Sequence, residues 1–217
     1  MCAKPRRRFW SPPRVGLATA WLAIIVAVAG SGNLCAQSGS ARETQVFGVS
    51  GRGTSFVYVF DRSLSMKGAA LVAAKRELLA SIGQLEPTHQ FQIVFYNENP
   101  KMMQPPQMTF AGKDGLRQAE SFLTRVTASG GTDHVQALKL ALKMSPDVIF
   151  FLTDADEPQF SPSDLKEIQR RNGGAIINAI ELQSGPERGT ERALRTLAEQ
   201  NRGQYKYIDV TKLPRGE

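Results

Sequence analysis

The stretch FVYVFDRSLSM, Phe56 to Met66, runs an apolar segment into Asp61 and then sets hydroxyls at alternate positions, Ser63 and Ser65. A second apolar run, VIFFLTD, ends in Asp154, and the loop SGGTDH carries Thr132. These side chains offer only oxygen, with no imidazole or thiolate among them. Such a set suits a hard divalent cation, Mg2+ or Mn2+, rather than zinc or copper. In DRSLS the alternate side chains can turn to one side as the backbone leaves a strand, so that Asp61, Ser63 and Ser65 face a common ion. Asp61 and Asp154 would repel each other unless something cationic or hydrogen-bonding lay between them.

These residues meet only if the strands that carry them share one sheet. Strand-like runs are expected at Ser55 to Phe60, Gln90 to Tyr96, Asp147 to Thr153, Ala175 to Glu181 and Gln204 to Val210. FVYVF and VIFFLT are apolar at nearly every position, as in central strands covered on both faces. Shorter pieces, Val46 to Val49 and Met108 to Phe110, are placed at an edge. Leu71, Ala74, Leu78, Ile82 and Leu85 recur at helical steps, as do Leu116, Ala119, Leu123 and Val126, and then Val135, Leu138 and Leu142. SPSD at Ser161 to Asp164 is a capping box with proline in the first turn, and Thr190 is expected to cap a last helix ending near Gly203. Alternation of strands and helices predicts an α/β fold, a doubly wound and mainly parallel sheet with helices on both faces and a short antiparallel edge strand. Ligands then bind beyond the carboxyl ends of the strands, the edge at which Asp61 and Asp154 emerge.

The arrangement resembles the von Willebrand factor type A domain family, whose metal-ion-dependent adhesion site consists of D-x-S-x-S, a distant threonine and a distant aspartate. All these positions are filled here, and the similarity extends over about residues 45 to 213. The resemblance implies a Rossmann-like fold, with Ser63, Ser65 and Thr132 as ligands in or near the inner sphere and Asp61 and Asp154 binding directly or through water. It also implies a partner protein whose acidic residue completes the coordination. Leu64 and Ala155 stand where the family often has glycine. Asp133, Asp156 and Glu157 crowd the same edge and favour cations.

Other assignments are open to the same residues. Ser65 precedes one helix and Thr132 opens another, so each can serve as an N-cap. A magnesium-dependent phosphoryl-transfer hydrolase with Asp61 as nucleophile would use the same strand end, but enzymes of the haloacid dehalogenase type carry a second aspartate where Ser63 stands. A third assignment is a metal-independent scaffold in a membrane-associated assembly. GVSG at Gly48 to Gly51 lacks the context of a nucleophile elbow, and neither GRG nor SGG begins a complete phosphate-binding motif. His89 is expected in a solvated loop, and His134, in the first turn of a helix beside Thr132, at the surface or, as the alternative, just behind the ligands of the metal site. Met102, Met103 and Met108 read as edge packing or a partner surface.

The formal net charge of +7 suggests nucleic acid until its distribution is considered. Five of the 27 Lys and Arg precede residue 37, leaving 22 against 20 acids, a net charge of +2. No nucleic-acid partner is therefore expected. Residues 1–36 pair a basic start with the apolar run Val15 to Gly30, which is 16 residues long, and then small polar residues. This order is that of a signal peptide, or of an N-terminal membrane anchor if it is retained, and implies a location outside the cytoplasm: periplasmic, secreted or anchored facing outward. Both cysteines, Cys2 and Cys35, lie in this leader, so cleavage after Ala36 leaves neither a disulfide nor a thiolate site. GNLC lacks the usual signature of lipid attachment at Cys35. The expected organisation is a leader (1–36), a linker (37–44), one domain (45–213) and a tail (214–217).

Overall fold

The computed structural model describes residues 41–154, 159–187 and 192–213. The leader with both cysteines, residues 37–40 of the linker, Ala155, Asp156, Glu157, Thr190 and the tail lie outside the described residues.

The chain opens with β1 (Arg42–Val46) and β2 (Val49–Gly53), an antiparallel ribbon in which Val46 pairs with Val49. The apolar run VFGV, expected as an edge strand, is instead the turn of this ribbon. Phe47 and Gly48 both take positive φ, 49° and 72°, the backbone that a two-residue hairpin needs to match strand twist. Its side chains are apolar because Val46, Phe47 and Val49 are buried, not because the segment is extended. The ribbon places ordered structure at Arg42, ahead of the expected start at Gln45. It is fastened to the first helix by Thr44 Oγ1, which donates to the Ser81 carbonyl.

Next come β3 (Ser55–Asp61), α1 (Ala69–Gly83), β4 (Gln90–Tyr96), the short β5 (Lys101–Met102) and β6 (Thr109–Phe110), and α2 (Lys113–Thr124). They are followed by α3 (His134–Leu142), β7 (Val148–Thr153), α4 (Pro162–Arg171), β8 (Ile176–Gln183), α5 (Arg192–Gln200) and β9 (Tyr205–Asp209). The main sheet runs β5-β4-β3-β7-β8-β9, with β6 also paired to β4. The β3–β4, β3–β7, β7–β8 and β8–β9 pairs are parallel, whereas β5 and β6 are antiparallel to β4. From β3 the chain winds outward to β4 and then returns to place β7 on the other side of β3. The order therefore reverses between β3 and β7, where crevices open in doubly wound sheets.

Every residue from Phe56 to Asp61 and from Val148 to Thr153 is buried, which is why these strands are apolar throughout. One face of the sheet, with Phe56, Tyr58, Phe60 and Phe150, packs against α1 and α2. The other, with Val57, Val59, Ile149 and Phe151, packs against α3, α4 and α5. The expected capping box is present: Ser161 Oγ accepts from Asp164 N, and the Asp164 carboxylate accepts from Ser161 N. Asp147, expected inside a strand, lies just before β7, and its carboxylate accepts from Thr54 N, Thr54 Oγ1 and Ser55 N.

Candidate metal centre at the strand ends

Asp61, the last residue of β3, is fully buried. Its Oδ1 accepts from Ser63 N at 2.7 Å and its Oδ2 accepts from Thr153 Oγ1 at 3.0 Å. The first of these bonds bends the chain directly out of the strand into a single 3-10 turn, Leu64–Met66, pinned by the buried Met66. Ser63 Oγ and Ser65 Oγ lie 3.1 Å apart, with Ser63 buried and Ser65 exposed. Asp61, Ser63 and Ser65 are thus brought together as the alternating pattern requires.

The capping alternatives do not hold. The N-cap of α1 is Gly68, not Ser65, and Ser63 stands at the cap of the 3-10 turn without a side-chain cap bond. The N-cap of α3 is Asp133, whose Oδ1 accepts from Gln136 N at 2.9 Å, so Thr132 is not used there either. Asp133, which the charge pattern placed with the cation-attracting acids, has this structural task.

Thr132 reaches the same edge through its neighbours. Leu64 N donates to the Gly130 carbonyl, Ser129 N to the Arg62 carbonyl and Asp133 N to the Asn97 carbonyl, which fastens the loop to the ends of β3 and β4. Gly130 has φ of +75°, and a Cβ there would stand 2.7 Å from Asn97 Nδ2. Only glycine meets both conditions, which accounts for the SGG that precedes Thr132. Thr132 itself is half-buried.

Asp154 follows β7 and is 7% exposed. Its carbonyl accepts from Gln183 Nε2 at 2.8 Å, and it shares with Ser65, Lys67 and Gln183 a cleft of about 300 Å3. Burial raises the Asp61 pKa to about 6, and the charge of Asp154 pushes in the same direction, against the hydrogen bonds from Ser63 and Thr153. A pair of carboxylates in this condition is short of positive charge. Among the described residues, no three His, Cys, Asp or Glu cluster closely enough to hold a metal. The donors here are instead two carboxylates and neighbouring hydroxyls, all of them oxygen, which fits a hard cation.

One residue differs from expectation in a way that matters to the site. His134 is buried rather than at the surface, 2.9 Å from Tyr96 Oη through Nδ1, stacked on Phe160 and edge-on to Phe151. Tyr96 in turn is held well above the ordinary tyrosine pKa by burial and then by the Asp61 charge, with Thr153 hydrogen-bonding to it in opposition. Thr153 thus links the carboxylate to a buried Tyr–His pair, a part that its place at the end of an apolar strand did not announce. His89 is also buried, and its Nδ1 accepts from Glu86 N.

A family model described as von Willebrand factor type A domain matches residues 55–207. Human inter-alpha-trypsin inhibitor heavy chain H4 is 24% identical over 139 residues, covering 58% of this chain and 15% of that protein. Among solved structures, a von Willebrand factor type A protein from Catenulispora acidiphila superposes with a TM-score of 0.65 at 22% identity, over 75% of this chain and 41% of that one. Proximal thread matrix protein 1 from the mussel byssus, with a zinc-occupied MIDAS motif, gives 0.52 at 15% identity, over 77% and 45%. The chain therefore spans less than half the length of each of these relatives.

Proposed function

Because the chain belongs to the von Willebrand factor type A domain family, a family of protein-interaction modules, we propose that it is a non-catalytic binding domain that works outside the cytoplasm. Asp61, Ser63, Ser65, Thr132 and Asp154 would hold one divalent cation, Mg2+ or Mn2+, and a protein partner would supply an acidic residue to it. The cation, when bound, offers a Lewis-acidic point for that carboxylate. The observation that carries this proposal is the buried Asp61 at the sheet's switch point, beside Asp154 and next to two hydroxyls that no helix cap uses.

The chain's own residues prepare the site. Ser63 N and Thr153 Oγ1 fix the orientation of the Asp61 carboxylate, and the buried strands keep water from its rear. The zinc seen in the byssus protein belongs to that protein. The all-oxygen donors favour harder ions here. The place of a second aspartate, two residues after Asp61, is filled by Ser63, which disfavours an aspartyl-phosphate enzyme. Export rests on the order of residues 1–36, with the leader either cleaved or kept as a membrane anchor. No helix among the described residues is long and apolar enough to cross a membrane.

Calorimetric titration of the EDTA-stripped protein is the direct test. Saturable binding of Mg2+ or Mn2+ at micromolar to millimolar concentration is expected, with capture of an acidic partner that EDTA abolishes. Absence of binding by either ion at millimolar concentration would overturn the proposal.

A further inference from the structure

A cavity of about 550 Å3 lies between α2 and the β4–β5 edge of the sheet, away from Ser65 and Asp154. Phe95, Phe122 and Met102 give it an apolar wall, and Arg62, Lys101 and Arg125 contribute three cations. No Asp or Glu is among the described residues that line it. The neighbouring groove along α2 does contain an acid, Asp114, but that carboxylate is already engaged by Arg117. Phe95 is buried, whereas Phe122 and Met102 are half-buried.

Arg62 is the unusual member of this set. It is 6% exposed, and its guanidinium donates only to neutral acceptors: the Thr127 carbonyl, Ser129 Oγ and Asn97 Oδ1. Its Nε has no hydrogen-bond partner among the described residues. Asp61 precedes it in the chain and its charge acts on the guanidinium, but the two carboxylate oxygens accept from Ser63 N and Thr153 Oγ1 rather than from Arg62. No ion pair among the described residues includes Arg62, Lys101 or Arg125. Asp61 offsets part of the Arg62 charge, whereas Lys101 and Arg125, both exposed and without an ion pair among the described residues, leave the mouth of the cavity positive to an entering anion. Apolar lining with a few convergent charges, at this volume, is the make-up of a small-molecule site.

We propose that this cavity binds small organic carboxylates, the apolar body resting on Phe95, Phe122 and Met102 and the head group attracted by Lys101 and Arg125 with Arg62 behind them. The apolar wall supplies affinity and the cations select for the charge. Arg62 stands between Asp61 and Ser63, so the test is run in EDTA, where no metal is bound, and the two proposals fail separately.

The probe is 2-naphthoate, titrated calorimetrically into the full chain, with 2-naphthylmethanol as the neutral body and acetate as the head group alone. Naphthoate should bind about tenfold or more tighter than either, and added salt should narrow its margin over the alcohol. Replacing both exposed cations, Lys101→Gln with Arg125→Gln, should remove most of that margin while leaving the alcohol and the melting temperature unchanged. Phe122→Ala should weaken naphthoate and the alcohol alike. Equal binding of the acid and the alcohol, no saturable binding of naphthoate at millimolar concentration, or indifference to the double substitution would each overturn the proposal.

Discussion

Burial takes water away from the Asp61 carboxylate, and the hydrogen bonds from Ser63 N and Thr153 Oγ1 replace only part of it, so its pKa rises to about 6. The folded protein then holds this proton more tightly than the unfolded chain, where the ordinary value is 3.8. Between about pH 4 and pH 6 the unfolded chain loses the proton first, so the metal-free domain should lose stability as pH rises through that window and level off above it. The shift corresponds to at most about 3 kcal/mol. Asp61→Asn keeps an acceptor for Ser63 N and removes the charge. In EDTA at pH 7.5 it should melt higher than the wild type, while the wild type alone gains stability on adding Mg2+ or Mn2+. The metal must also displace the proton, so its apparent affinity should fall about tenfold per pH unit below pH 6. Destabilisation of Asp61→Asn in EDTA, together with no metal response in the wild type, would make the carboxylate a purely structural group.

At the scale of elements, neighbouring residues in the loop before α3 have different tasks. Asp133 caps the helix, so Asp133→Ala should cost about 1 kcal/mol of stability whether or not metal is present. Thr132→Ala should leave the EDTA-treated domain close to wild type and reduce the gain conferred by metal. Thermal melts of both variants with and without Mg2+ separate the roles, and equal losses in EDTA would refute this division. Sequence spacing could not make the distinction, because threonine and aspartate both serve as helix caps and stand side by side. The same limit explains the other differences. VFGV looks like a strand because its side chains are buried, yet the positive φ at Phe47 and Gly48 is a backbone property that the apolar pattern conceals. His134 was legible as a first-turn residue but not as a buried one. Its burial comes from Phe160, Phe151 and Tyr96, which arrive from separate segments. What could be read directly was what periodicity and strand ends encode: the five main strands, the helical stripes, and the exit of Asp61 and Asp154 at one edge.

At the scale of the whole molecule the sheet divides the interior in two, and each central strand contributes to both halves. Phe150 faces the side covered by α1 and α2, and Val59 faces the side covered by α3, α4 and α5. Both are fully buried. An aspartate at either position would be an unpaired charge among apolar side chains, a cost that competes with the entire margin of about 5 to 15 kcal/mol. Phe150→Asp and Val59→Asp should therefore each abolish the cooperative unfolding transition, followed by circular dichroism in denaturant, although they strike opposite faces. Phe150→Ala removes volume without adding charge and should keep a single transition shifted down by about 3–5 kcal/mol. A Val59→Asp protein that retained a cooperative transition of reduced amplitude would mean that the α1–α2 layer and the sheet fold without the opposite layer. The register argues against that outcome: Val59 pairs with Val94 on one side and Phe151 on the other, so a strand displaced on one face carries Phe60 and Asp61 with it, and the carboxylate site is lost together with the core.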